Sequence, residues 1–229
     1  MSAAVGRKAV IGNRANFWLH SHAEGFDLTH PSAPDATPIY PRLSLDTTTA
    51  RVTIDPSKSA LVVIDMQNFF LHPALGRKKE GLGILAARQL IKHAIPACRN
   101  ASIPVLWVNW GLTQEDIDSM PPATLRAFVL AQRSSHISEA HQDCRFGFET
   151  VPEDDDATKL PPRPALGKDP RLYKGLGSDI STINLDDGTT VEAGRLLMRD
   201  QWNSALYPEL EKVRQPEDNW IHKNRMSGL

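Results

Sequence analysis

The stretch Ser59-Ala-Leu-Val-Val-Ile-Asp65 constrains this chain more than any other: it is a continuous apolar run that ends in a charge. Runs of this kind are strands buried on both faces, as parallel sheets require. From Leu82 to Ala97 the pattern changes. Leu82, Leu85, Ala86, Leu90 and Ile91 recur at helical spacing, with Pro96 expected to kink or end the helix. A second apolar run, Ile103-Pro-Val-Leu-Trp-Val-Asn109, follows. Strand, helix and strand in this order predict a βαβ unit with a right-handed crossover.

The flanking text is looser. Residues 1–57 are short apolar pieces broken by turns, among them Ala15–Leu19 and the alternating Arg51–Ile54, and read as an N-terminal β-rich arm. Beyond it, residues 58–229 form the main domain. Thr113–Asp118 and Ala123–Leu130 read as short helices, and Leu185–Val191 as a hairpin around an Asp-Gly turn. Ser204–Val213 reads as a short helix with Tyr207-Pro208 awkwardly inside it, and Asn219–Lys223 as a third strand. Glu153–Asp156 is an acidic run of the kind found in solvated loops.

Composition excludes several function classes. The chain has 229 residues, 41% hydrophobic and 23% charged, with a net charge of -1. No basic excess points to nucleic acid or to an acidic membrane face. No apolar run approaches the ~20 residues of a membrane helix, and the N-terminus lacks a secretory apolar core. Two cysteines, Cys98 and Cys144, are too few for a disulfide framework. The expectation is a cytoplasmic protein with a small-molecule substrate, no nucleic-acid or membrane partner, and self-association left open.

Ligands of open parallel sheets bind beyond the carboxyl ends of the strands. Asp65, Asn109 and Lys223 occupy such ends. An Asp and a Lys brought together there perturb each other's ionisation. From physics alone the pair is either catalytic or a plain salt bridge at a sheet edge.

The local sequences add a family resemblance. Val62-Val-Ile-Asp-Met-Gln-Asn-Phe-Phe70 resembles the opening signature of the isochorismatase-like hydrolases, in which the first strand ends in Asp-x-Gln-x-x-Phe. Trp220-Ile-His-Lys-Asn-Arg-Met-Ser-Gly228 resembles the later segment that delivers a lysine before a small-residue turn. Asn16-Phe-Trp-Leu19, Phe26-Asp-Leu-Thr-His30 and Lys174-Gly-Leu-Gly-Ser-Asp179 resemble a fungal branch. The likeness covers nearly the whole chain apart from Val129–Phe146, where no period is clear. Residues 129–146 read as an insertion, for instance of retained intron sequence.

The resemblance implies a three-layer α/β/α sandwich around a parallel, Rossmann-like sheet, and an Asp-Lys-Cys triad. Asp65 matches the general base and Lys223 the cation that lowers the thiol pKa or steadies transition-state charge. The family's cysteine follows the next strand, some tens of residues beyond the lysine, at a helix N-terminus. The sequence ends at Leu229, so the expected domain is incomplete at its C-terminus and lacks that nucleophile. Gln67, Phe70, Asn109 and Trp110 are the expected substrate contacts.

Neither cysteine reads as a substitute. Cys98 lies in the putative helix, away from the strand ends, and Cys144 has neither a preceding strand nor a following helix N-terminus. His136, His141, Asp143 and Cys144 carry metal-binding chemistry without an established ligand spacing. Metal-binding relatives use an Asp and two His near the second strand, where this chain has Asn109-Trp-Gly-Leu-Thr113. No metal and no cofactor are expected. His20, His22, His30 and His72 sit in turn-rich text and suggest surface or capping roles. Phe69, Phe70, Trp110 and Trp202 could wall a pocket or simply fill a core. Gly175 and Gly177 lack the strand-turn-helix context of a nucleotide loop.

Three functions follow as expectations. The first is hydrolysis of a small amide or related substrate through a thioester. The second is a catalytically dead fragment or a protein that only binds. The third needs no cysteine: hydrolysis of the isochorismate vinyl ether with Asp65 as general acid.

Overall fold

The computed structural model describes residues 8–127 and 175–226. The acidic run Glu153–Asp156, the 129–146 insertion and the His136, His141, Asp143 and Cys144 set lie outside them. The described residues form a mixed α/β protein with one mixed and one parallel sheet and no closed barrel. Contacts divide the chain into two units: residues up to Leu61 with Ala94–Val105, and Val62–His93 with everything from Leu106 onward.

In the first unit, five strands pair in the order β1-β2-β3-β5-β4. They are β1 (Ala9–Gly12), β2 (Phe17–Ser21), β3 (Gly25–Asp27), β4 (Leu43–Asp46) and β5 (Arg51–Ile54). Only the β3–β5 pair is parallel. Alternation on β2 buries Phe17, Leu19 and Ser21 and leaves Trp18 largely outside. Asp27 accepts from the Thr29 amide and hydroxyl and pairs with Arg42. Thr47–Thr49 lies in the β4–β5 turn, where the Thr47 hydroxyl donates to the Ala50 carbonyl.

The second sheet is parallel and three-stranded, in the order β10-β7-β6. Its members are β6 (Leu61–Ile64), β7 (Val105–Trp110) and β10 (Asn219–Lys223). The third strand keeps its expected bounds. The second begins two residues later than expected, because Pro104 has no N–H for the ladder. The expectation that the first strand is buried on both faces is corrected. Val63 is 2% exposed, but Val62 and Ile64 are 47% and 53% exposed. β6 is an edge strand here, and Val62 and Ile64 on that face are only about half covered.

The expected helix from Leu82 also differs. It runs on to Asn100 as α2 (Leu82–Gln89), a π segment (Leu90–Ala94) and α3 (Ile95–Asn100). Pro96 falls in the first turn of α3, where its missing N–H is tolerated, and the wide π turn before it relieves the ring. A four-residue helix, α1 (Asn68–Leu71), directly follows the Asp65 loop. The capping box of Thr113 and Asp116 starts α4 (Gln114–Asp118), and α5 is Pro122–Ala127. The hairpin forms as β8 (Thr182–Asn184) and β9 (Thr190–Glu192), with Gly188 at φ +82° in its turn.

The expected helix Ser204–Val213 is instead two pieces. A 3-10 turn (Trp202–Ser204) precedes α6 (Pro208–Glu211). Pro208 opens α6, where φ is already suitable, instead of interrupting it. The core of this unit joins Phe69, Leu75, Trp110, Leu112, Leu196 and Leu197. It therefore lies under the loops that leave the carboxyl ends of β6 and β7. Among the described residues no helix is long and apolar enough to cross a membrane.

Candidate active site

Strand β6 passes into Asp65, whose amide still donates to the Val108 carbonyl at 3.0 Å. That bond places Asp65 beside Asn109 in the parallel register. Regular alternation would put Asp65 on the Val63 side of the sheet. Lys223, which pairs with Trp110, belongs to the other side with Ile221. The backbone of Asp65 breaks the alternation with φ +59°, a conformation Asp tolerates better than most residues. Its carboxylate meets Lys223: Nζ lies 2.7 Å from Oδ2 and 5.0 Å from the centre of the Trp110 ring. The Lys223 side chain is 8% exposed.

The two carboxylate oxygens differ. Oδ2 accepts from Lys223, while buried Oδ1 has no partner within hydrogen-bond distance among the described residues. Burial pushes the Asp65 pKa up, and the Lys223 hydrogen bond and charge, with a hydrogen bond from the Trp110 side chain, only partly oppose it. A carboxyl beside an ammonium is usually pulled down. Here desolvation is the larger effect, so the carboxyl holds its proton more tightly than an ordinary Asp.

Asn109 is fully buried, and both polar atoms of its amide lack partners among the described residues. An unsatisfied buried polar group costs about 1–3 kcal/mol. The residues that end β6 and continue β7 thus each carry an unsatisfied polar group among the described residues, Asp65 Oδ1 and the Asn109 amide. A purely structural salt bridge does not require that.

Gln67 was expected to touch substrate, and its geometry serves another purpose. It is fully buried. Its Nε2 donates to the Trp110 and Ser204 carbonyls at 2.7 and 2.6 Å, and its Oε1 accepts from the Trp110 amide at 2.9 Å. Backbone partners therefore occupy both ends of the amide, and Gln67 fixes the tryptophan that contacts Asp65 and Lys223. Phe70 is partly buried against the core and meets Phe69 edge-on at 5.0 Å. Phe69 and Trp110 belong to the core itself, and Trp202 packs against it.

Gly111 follows Trp110 for a steric reason. A Cβ there would lie 2.0 Å from Nδ1 of His222, the residue before Lys223. Gly177 sits in a turn at φ +79° and bonds to the Leu196 carbonyl, with no helix following it as a phosphate loop would need. His72 caps a short 3-10 turn by accepting from the Ala74 amide. His20 packs against Phe26 with the rings tilted at 48°, while His22 and His30 are exposed.

Cys98, the free cysteine among the described residues, is half-buried in α3, and burial pushes its thiol pKa up. It lacks the thiolate character of an activated nucleophile. Among the described residues no group of three or more His, Cys, Asp or Glu is placed to hold a metal.

Sequence reasoning did not anticipate a cleft of ≈ 480 Å³ whose lining includes Asp200, Trp202, Trp220 and His222, but neither Asp65 nor Lys223. The two-residue spacing of Trp220 and His222 on β10, which puts both on one face, was the available signal. No family model matches the chain.

Proposed function

We propose that Asp65 and Lys223 form the acid–base centre of an isochorismatase-like hydrolase acting on a small molecule. The observation that carries this reading is the 2.7 Å pair at the carboxyl ends of two parallel strands, with Asp65 at φ +59° and one oxygen unpartnered among the described residues. In this reading the parallel sheet is the centre of a three-layer α/β/α sandwich. Apolar residues on both its faces, Val63 on one and Val62, Ile64 and Ile221 on the other, suit layers on both sides. A reducing, cytoplasmic setting fits the sparse cysteines.

Asp65 moves the proton. Lys223 balances the charge that develops, and Trp110, locked by Gln67, orients both. In the thiol mechanism that the resemblance implies, Asp65 accepts the thiol proton and the sulfur attacks an amide carbonyl. Asp65 returns the proton to the nitrogen as the C–N bond breaks and the amine leaves, and water then hydrolyses the thioester to the acid and the free thiol. Cys98 does not suit that step.

A second reading needs no cysteine and uses the carboxyl whose pKa burial pushes up. There the neutral carboxyl protonates the terminal vinyl carbon of an enol ether. Water adds to the resulting oxocarbenium carbon, and the hemiketal collapses to a ketone and an alcohol. A protein that only binds is the remaining alternative.

The test is to incubate the full chain with a panel of primary amides and with isochorismate, following ammonia and ketone release, with and without iodoacetamide. Iodoacetamide-insensitive turnover that Asp65→Asn abolishes supports the acid mechanism, and iodoacetamide-sensitive turnover supports the thiol mechanism. Turnover unaffected by Asp65→Asn contradicts both.

A further inference from the structure

The cleft beside β10 has the ~300–1,000 Å³ size of small-molecule sites. Two indoles, Trp202 and Trp220, supply apolar walls whose π faces attract cations. The charged side chains lining it are the carboxylates Asp200 and Glu211, and no Lys or Arg is among them. The chain already displays the matching chemistry at one wall. The Arg214 guanidinium lies 5.6 Å from the Trp220 ring centre and is held by Glu211 at 2.6 Å. Glu211 is thereby neutralised.

Among the described residues neither a hydrogen bond nor an ion pair reaches the exposed Asp200 carboxylate, and its backbone sits at φ +60°. Burial, with the nearby charge of Arg199, lowers the His222 pKa against the pull of Asp200. The imidazole is therefore largely neutral at pH 7 and does not act as the cation for Asp200.

We propose that this cleft binds a small organic cation with a flat apolar body, an arylalkylamine in kind, its ammonium facing Asp200 and its ring against Trp202 and Trp220. The site is independent of the hydrolase reading, since Asp65 and Lys223 do not line it.

The experiment titrates the full chain with 2-phenylethylamine and, separately, with neutral 2-phenylethanol, reading quenching of tryptophan fluorescence. Asp200→Asn is the variant, because Asn also tolerates the left-handed backbone and preserves the turn; an unchanged melting curve verifies its fold. Saturable quenching by the amine is expected. Its affinity should fall by about fivefold or more both in Asp200→Asn and on replacing the amine by the alcohol. The absence of saturable quenching, or a smaller change in either contrast, overturns the proposal.

Discussion

Asp27 and Asp65 are both carboxylates at the end of a strand, each paired with a cation, yet they are built to opposite ends. Asp27 closes β3 with both oxygens satisfied, by Thr29 on one side and Arg42 on the other. Burial works against its charge, but the Thr29 hydrogen bonds and Arg42 outweigh it and hold its pKa below the usual carboxylate value. Asp65 has a left-handed backbone, one oxygen without a partner among the described residues, and a raised pKa. The first pair completes a fold. The second keeps hydrogen-bonding capacity in reserve and holds its proton more tightly, as a proton-transfer group does. An ion pair by itself therefore says little about function; how fully each oxygen is partnered says more.

Activity gives the widest separation between the two. Asp65→Asn should lower the hydrolysis found in the substrate panel by roughly two to four orders of magnitude, the usual worth of general acid–base catalysis. Asp27→Asn should leave turnover per folded molecule within a factor of a few. Equal losses in steady-state assays of the two variants would erase the distinction.

Stability separates them in the other direction. At neutral pH, Asp27→Asn should lose about 1.5–3 kcal/mol in urea unfolding, the range for hydrogen bonds to a charged group. The pH dependences have opposite signs. Between its lowered folded pKa and the reference 3.8, Asp27 is protonated when unfolded and ionised when folded, so its contribution to stability rises with pH. Between 3.8 and its raised folded pKa, Asp65 is ionised when unfolded and protonated when folded, so its contribution falls as pH rises. Urea unfolding across this acid range should show each slope disappear in the corresponding Asn variant.

A smaller contrast lies within β6, the strand that delivers Asp65. Val63→Ala removes a buried side chain and should destabilise by about 1–2 kcal/mol. Val62→Ala, on the open face, should stay within about 0.5 kcal/mol. Equal losses in denaturant melts would mean that this face is covered in solution.

The sequence showed the three parallel strands because apolar runs and chain direction are local properties. It also placed Asp65 and Lys223 together, since Asp65 closes an apolar run and Lys223 closes a segment that reads as a parallel strand. It could not show that Val62 and Ile64 are open while Val63 is covered, because a run of apolar letters does not record which face meets a neighbour. Pro96 and Pro208 were misread for a related reason. A proline's effect depends on its position within the helix, and that position is set by a π turn in one case and a new first turn in the other. The role of Gln67 was hidden because its partners are backbone groups, two of them on Trp110 and one on Ser204. The left-handed backbone of Asp65, which reverses the side on which its carboxylate emerges, has no signature in residue type alone.

The most direct measurement is the ionisation of Asp65 itself, followed as the side-chain carboxyl carbon resonance in an NMR pH titration and assigned by its absence in Asp65→Asn. The account predicts a midpoint above the reference 3.8. It also predicts a further rise in Lys223→Met, because the lysine hydrogen bond and charge hold the pKa down. A midpoint at or below 3.8 in the unmodified chain would make the pair an ordinary salt bridge and contradict the account.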